Sequence, residues 1–338
     1  MAIKYIHAVA PNTAEGLTAR VYPQIKKDFG ALAEPFTLHS PSPGLLAGAW
    51  SACRESLLVG NVRRDIKEAV AATISRINQC PYCVDAHTIM LNATSAHDSA
   101  DAIIHQHDDQ IRDPAVRSIV EWAAATCSPG TEILLSPPFS REDAPEIIGT
   151  ALFFHYVNRM VNVFLSNTPL PSDHPLLKGF LKRMAGWFFS KAIHRAKPLG
   201  TSLEFLPETE LPADLAWAER SPNIAGAFAR FAAVIDREGK DCIPEDVRDC
   251  VVKHVQVWDG KPPGLGRHWI EGAVNGLDDN SKDIGRLLLL TAFAPYQVDE
   301  RVINAFTTHI KGDDRLLGAL AWGCFTAVRR IGIWIGKY

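Results

Sequence analysis

Apolar residues recur at three- and four-residue intervals over long stretches of this 338-residue chain. They do so most clearly at positions 62–78, 81–96, 114–126, 144–165, 176–196 and 244–258. That period lays one apolar stripe along a helix, whereas a half-buried strand needs strict alternation, and strand signals are sparse here. Clusters of Gly, Pro, Ser and Asn separate the stretches, with clear breaks at Ser128-Pro129-Gly130 and Ser136-Pro137-Pro138. The pattern predicts an all-α fold. Residues 316–328 are apolar but too short for a bilayer span, and read as a buried helix. The longest run without Lys, Arg, Asp or Glu, 35–53, holds three prolines, three serines and a histidine, so it predicts no membrane span.

The pattern also repeats. A gap-free shift of 181 positions lays Val62 on Ile243, Ile66 on Val247, Glu68 on Asp249, Val70 on Val251, Pro81 on Pro262 and His87 on His268. Arg54-Glu55 resembles Arg237-Glu238 after a two-residue gap, and 154–160 resembles 325–331 at a shift of 171. Under the main shift Cys80 falls on Lys261 and Cys83 on Gly264. The expectation is two tandem related helical units. Residues 1–197 form a unit that kept its thiols. Residues 198–212 form a linker interrupted by Pro198, Gly200, Pro207 and Pro212, and 213–338 form a degenerate unit without the thiol pair.

Composition narrows the function. Hydrophobic residues make up 47% and charged residues 22%, ordinary for a globular chain with room for two cores. A net charge of −3 gives no electrostatic case for nucleic acid or an anionic membrane, which leaves a small molecule or a protein as the expected partner. Residues 1–11 lack the continuous apolar core of a signal peptide. Seven cysteines, an odd number scattered over a long chain, read as reduced thiols in a cytoplasmic protein.

Two of those cysteines carry the chemistry. Residues 80–87 read Cys-Pro-Tyr-Cys-Val-Asp-Ala-His, and Glu68 lies twelve positions before the first cysteine. Pro81 has no amide hydrogen and a fixed φ, which suits the first position of a helix. Cys80 is then the N-cap and Cys83 the third helical residue, both beside unpaired N–H groups at the positive end of the helix dipole. Positions 80, 83 and 87 fall on one stripe, and Glu68 comes from the preceding helix, antiparallel after a turn at Asn78-Gln79. A free cysteine is only about 3% thiolate at pH 7. The dipole supplies roughly 0.3–1 kcal/mol, too little to change that. A base is needed, and His87 is the candidate, with Glu68 to orient its imidazole or pass the proton on. An activated thiol attacks a peroxide to give a sulfenic acid, and the second thiol condenses with it to a disulfide.

These residues resemble a known family. Glu68, Cys80, Cys83 and His87 reproduce the Glu-x11-Cys-x-x-Cys-x3-His signature of the AhpD alkylhydroperoxidases, within the carboxymuconolactone decarboxylase superfamily. Lys67-Glu68-Ala69-Val70, Asn78-Gln79-Cys80 and Ala86-His87 look typical as well. The resemblance is clear over residues 50–165 and faint beyond. It implies an all-α AhpD-like fold, homo-oligomeric assembly and no tightly bound cofactor. The implied reaction is reduction of a small-molecule peroxide by a dithiol electron donor protein, lipoyl-type or thioredoxin-like. By the same resemblance Cys83 is the peroxidatic thiol and Cys80 the resolving one; a thioredoxin-like order would reverse them. Tyr82 stands between the thiols where some members have a histidine, and the chain is nearly twice the length of one unit.

Other readings stay open on the residues alone. Two thiolates and an imidazole are good zinc ligands, which makes a zinc-binding or redox-sensing module without turnover the main rival. A carboxymuconolactone decarboxylase-like enzyme is another, although such enzymes work without a thiol pair. Tyr82 and His155 are candidate substrate-binding residues, His155 as part of the wall over the thiols. Asn158 and Arg159 share its helix and read as partners for buried polar groups. His97, His105 and His107, with Asp98, Asp101, Asp108 and Asp109, read as a solvated turn, and His268 as a relic that caps or packs. Lys178, Lys182, Arg183, Lys191, His194, Arg195 and Lys197 accompany Trp187, Phe188 and Phe189 on a helix expected to pack between the units. Cys53, Cys127, Cys242, Cys250 and Cys324 read as packing residues.

Overall fold

The structure is a computed structural model that describes residues 3–94, 96–165, 193 and 195–337. The described residues form helices and no strand, as the period predicts. In chain order the first nine helices are α1 (Gly16–Asp28), α2 (Glu34–Thr37), α3 (Pro43–Cys53), α4 (Arg64–Ile77), α5 (Pro81–Ala93), α6 (His97–His105), α7 (Pro114–Ala125), α8 (Glu132–Leu135) and α9 (Ala144–Phe164). They are followed by α10 (Pro222–Cys242), α11 (Glu245–Val257), α12 (His268–Val274), α13 (Asp279–Phe293), α14 (Glu300–His309) and α15 (Asp313–Ile335). The basic segment 176–196 lies almost wholly outside the described residues.

Helix starts follow local chemistry. Ser42 accepts from the Leu45 N–H and Pro43 stands at the first position of α3. Asp113 accepts from the Ala115 and Val116 N–H groups ahead of α7, again with a proline next. Past Cys53 the chain continues as one π-helical turn, Arg54–Leu58, fully buried. Arg54 binds the Asp28 carboxylate at 2.8 Å, and Glu55 accepts from Ser202, the Gly200 N–H and Asn223. The segment expected as a linker is therefore docked at both Arg54 and Glu55, the former through the Pro198 carbonyl.

The polar stretch expected as a solvated turn is mostly helix. Within α6, Ala100 and Ile103 are fully buried on the α4–α5 pair, and Arg76 ties the following turn through Asp108 and the Ile103 carbonyl. Two apolar contacts on one face outweigh the polar composition of the other. Residues 316–328 do form a buried helix, the middle of α15. That helix is long and apolar enough to cross a membrane, but 78% of its most apolar window is buried, against α9, α10 and α13.

Two long central helices hold the site in place. Nearly every residue of α9 is buried, and it packs against α4, α15 and the π turn. A buried ion pair locks α4 to it: Lys67 Nζ donates to Glu146 Oε2 at 2.7 Å and to the Val59 carbonyl at 2.6 Å. Glu146 also accepts from the Asn61 and Val62 N–H groups. Gly60, at φ +102°, is required beside it, because a Cβ there would sit 2.3 Å from the carboxylate. Removing one member of such a pair strands a buried charge. Glu146→Ala is expected to cost about 3–5 kcal/mol in urea unfolding. A loss below about 1 kcal/mol would mean that Lys67 reaches water instead.

Candidate active site

The helical hairpin α4–α5 builds the thiol site. Its turn uses Gln79 in the left-handed region (φ +51°), and the Cys80 N–H closes back on the Ser75 carbonyl at 2.9 Å. The Asn78 carbonyl accepts from Asn162 on α9, which fixes the turn against the central helix. Cys80 is the N-cap of α5 and Pro81 its first residue. Cys80 is wholly buried and Cys83 nearly so. Their side chains are in hydrogen-bonding contact, and both thiols are free.

His87 lies one turn past Cys83, on the same face. Its Nδ1 is 2.7 Å from Glu68 Oε2, and the other carboxylate oxygen accepts from Arg64 at 2.7 Å. Glu68 is wholly buried. Burial alone would raise its carboxyl, but the Arg64 guanidinium and the His87 imidazole outweigh that and hold it below the ordinary range. An ionised Glu68 accepts from the Nδ1 N–H of His87, which leaves Nε2 as the nitrogen turned away from the carboxylate. The Phe154 ring stands edge-on to the imidazole at 4.4 Å. Arg64 is a site residue that the motif did not bring out, although its i,i+4 spacing from Glu68 was there to be read.

The sulfur environment departs from the sequence expectation. The helix start favours a thiolate, yet Cys83 is pushed well above a free thiol, first by burial and then by the adjacent Cys80. The Asn158 amide, hydrogen-bonded to Cys83, works in the opposite direction. Desolvation exceeds the modest dipole contribution, so the resting Cys83 is a protonated thiol.

One apolar cavity of about 270 Å³ opens onto Cys83 and His87. Its walls come from the 29–36 segment, the π turn, α5 and α9, with Phe36, Leu57, Met90, Phe153 and Phe154 prominent. Cys53 lines it too, its thiol raised by burial. Tyr82 is also in the wall, its hydroxyl donating to Glu34 at 2.9 Å. His155 is not. Its Nδ1 lies 3.1 Å from Asn78 Nδ2 and its Nε2 2.9 Å from the Thr126 hydroxyl, wholly buried behind the hairpin turn. Three residues further on, Asn158 occupies the place by the thiol that His155 was expected to take.

No protein-family model matches the chain. Alkyl hydroperoxide reductase Rv2159c of Mycobacterium tuberculosis is 39% identical to it over 334 residues, covering 99% of this chain and 95% of that protein. The chain belongs to the AhpD-like alkylhydroperoxidase family. The match runs over almost the whole of both chains, so this family member shares its full length with that relative.

The donor set of this alkylhydroperoxidase does not converge on a metal. Among the described residues no group of three or more His, Cys, Asp or Glu side chains is placed to hold an ion. His87 Nδ1 is turned onto Glu68, whose other carboxylate oxygen is taken by Arg64. His268, which the 181-residue shift lays on His87, stands at the start of α12. Of the other cysteines, Cys53 lies on the cavity side of the hairpin and Cys127 behind its turn. Cys324 contacts Met160 in the core, and Cys242 and Cys250 donate to backbone carbonyls.

Proposed function

We propose that this protein reduces alkyl hydroperoxides at Cys83, with Cys80 as resolving thiol, His87 as base and Glu68 as its positioning partner. The observation that carries the reading is the Cys83–His87 face opening into an apolar cavity while Glu68 and Arg64 fix the imidazole from behind. His87 Nε2 takes the Cys83 proton as the hydroperoxide enters. The sulfur then attacks the outer peroxide oxygen, the O–O bond breaks, and the proton is returned to the departing alkoxide, which leaves as an alcohol. Cys83 is now a sulfenic acid. Attack by Cys80 forms the S–S bond and expels water. A dithiol donor of the lipoyl or thioredoxin type reduces that disulfide by two successive exchanges. Keeping Cys83 protonated at rest limits side reactions, and the cost is offset by a base positioned for the step.

The cavity sets the substrate preference. Its walls are apolar and aromatic, so a hydroperoxide with a phenyl or alkyl body gains burial that hydrogen peroxide does not. With dihydrolipoamide or reduced thioredoxin as donor, kcat/KM for cumene hydroperoxide is expected to exceed that for hydrogen peroxide by about tenfold or more. Failure to consume either peroxide with either donor would overturn the proposal.

The second half is read as a degenerate copy of the first, in a cytoplasmic enzyme that assembles into homo-oligomers. What supports the copy is the correspondence of helix boundaries. A shift of 181 carries α4 onto 245–258, where α11 spans Glu245–Val257, and a shift of 171 carries α9 onto 315–335, where α15 ends at Ile335. Counterparts also pack on each other, α3 against α10 and α9 against α15. Glu55 reaches Asn223 at the start of α10, and Glu238 accepts from Ser42 at the start of α3.

A further inference from the structure

A second cavity, of about 250 Å³, lies behind the thiol hairpin and is independent of the peroxide pocket. It is bounded on one side by the turn Asn78–Gln79 and on the other by the counterpart turn of the second half, Trp258–Pro262. Under the 181-residue shift Lys261 stands where the first half has Cys80. Gly260 (φ +91°) presses that turn against the Cys127 carbonyl, where a Cβ would come within 2.0 Å, so the wall is set by backbone contact. Trp258, Phe293 and Tyr296 supply flat apolar surface.

Arg159 forms the floor of this cavity and is 4% exposed. Its Nε donates to the Ala292 carbonyl and its Nη1 to the His155 carbonyl. Neither neutralises the charge, and among the described residues no carboxylate pairs with it. The titratable groups that favour its charged form are the Cys127 and Cys324 thiols, both themselves pushed up by burial and therefore neutral. A buried guanidinium without an anion is costly unless something negative is to bind beside it. At the rim Lys261 pairs, among the described residues, with the exposed Asp259, a weak pairing that leaves it free to turn inward.

We propose that this cavity binds a small organic anion, a carboxylate or phosphate ester on a flat apolar body, with the anionic group on Arg159 and Lys261 and the body against Trp258 and Phe293. A planar guanidinium takes such oxygens in paired hydrogen bonds. The space suffices, since apolar cavities of about 150 Å³ admit benzene. The bound anion sits one short chain of contacts from the thiol, through the His155 carbonyl and ring, Asn78 and Asn158 to Cys83.

Calorimetric titration of the whole protein with benzoate, phenyl phosphate and the uncharged analogue benzamide tests the site. At least one of the two anions is expected to bind in the millimolar range or better, and benzamide about tenfold more weakly. Arg159→Gln is expected to lower anion affinity about tenfold or more. Should that core variant not fold, Lys261→Glu on the exposed rim serves the same purpose, with an expected loss of about threefold or more. The proposal is overturned if neither anion binds by about 10 mM, if benzamide binds as well as benzoate, or if Lys261→Glu leaves anion affinity unchanged.

Discussion

The Cys83→Ser variant is expected to lose hydroperoxide turnover down to the uncatalysed background, while Cys80→Ser completes one reduction per site and then stalls. The asymmetry follows from where the two sulfurs sit. Cys83 faces the apolar cavity beside His87, whereas Cys80 is wholly buried at the N-cap and does not line the cavity. A serine hydroxyl at 83 fits the space but cannot take a peroxide oxygen as sulfur does, so no sulfenic acid forms. With Cys80 absent, Cys83 still reacts, and its sulfenic acid waits for a second thiol that is no longer one turn away. Stopped-flow consumption of cumene hydroperoxide, with and without a dithiol donor, separates the two outcomes. Equal multiple turnovers in both variants would remove Cys83 from the attacking role, and a stall in Cys83→Ser after one turnover would reverse the assignment.

His87→Gln is the second large effect, with an expected fall in kcat/KM of about 10²–10⁴-fold. The reason is the state of the sulfur. Burial and the neighbouring Cys80 hold Cys83 protonated, so the reaction depends on a base within reach rather than on a standing thiolate. Glutamine keeps much of the volume and can still hydrogen-bond Glu68, but it cannot take the proton. Glu68→Gln should cost less, because a neutral amide still accepts from Nδ1 while losing the charge that stabilises the imidazolium. The check is the pH dependence of both variants against wild type. In His87→Gln the rate should climb with pH toward that of a free thiolate, narrowing the gap to wild type. A parallel loss at every pH would point instead to a packing defect around Phe154.

How much of this was written in the amino-acid order depends on sequence distance. The contact between Glu68 and His87 crosses one hairpin, and the roles of Cys80, Pro81 and Cys83 in starting α5 are set within four residues. Spacing alone is enough for such features. The cavity is different. Its outer wall comes from residues 29–36, far upstream and without periodicity that would mark them as a substrate wall. His155 and Asn158 are both polar breaks in one apolar helix, and a rotation of less than a turn decides which meets the thiol. That rotation is set by packing of α9 against α4 and α15 rather than by anything local. The same holds for the acidity of Cys83. Position at a helix start is legible and favours the anion, but its depth beneath α9 is a tertiary property, and burial wins. Residues 97–105 differ from the expected solvated turn for a related reason: a short helix with only a few apolar anchors reads as polar until its neighbours are known.

The most direct measurement is to expose reduced Cys80→Ser protein to cumene hydroperoxide in the presence of a sulfenic-acid-selective dimedone probe, and to map the labelled residue by peptide mass spectrometry. The account predicts the adduct on Cys83, formed quickly with His87 present and slowly in a His87→Gln background. An adduct confined to Cys53 or another thiol, or none on Cys83, would contradict it.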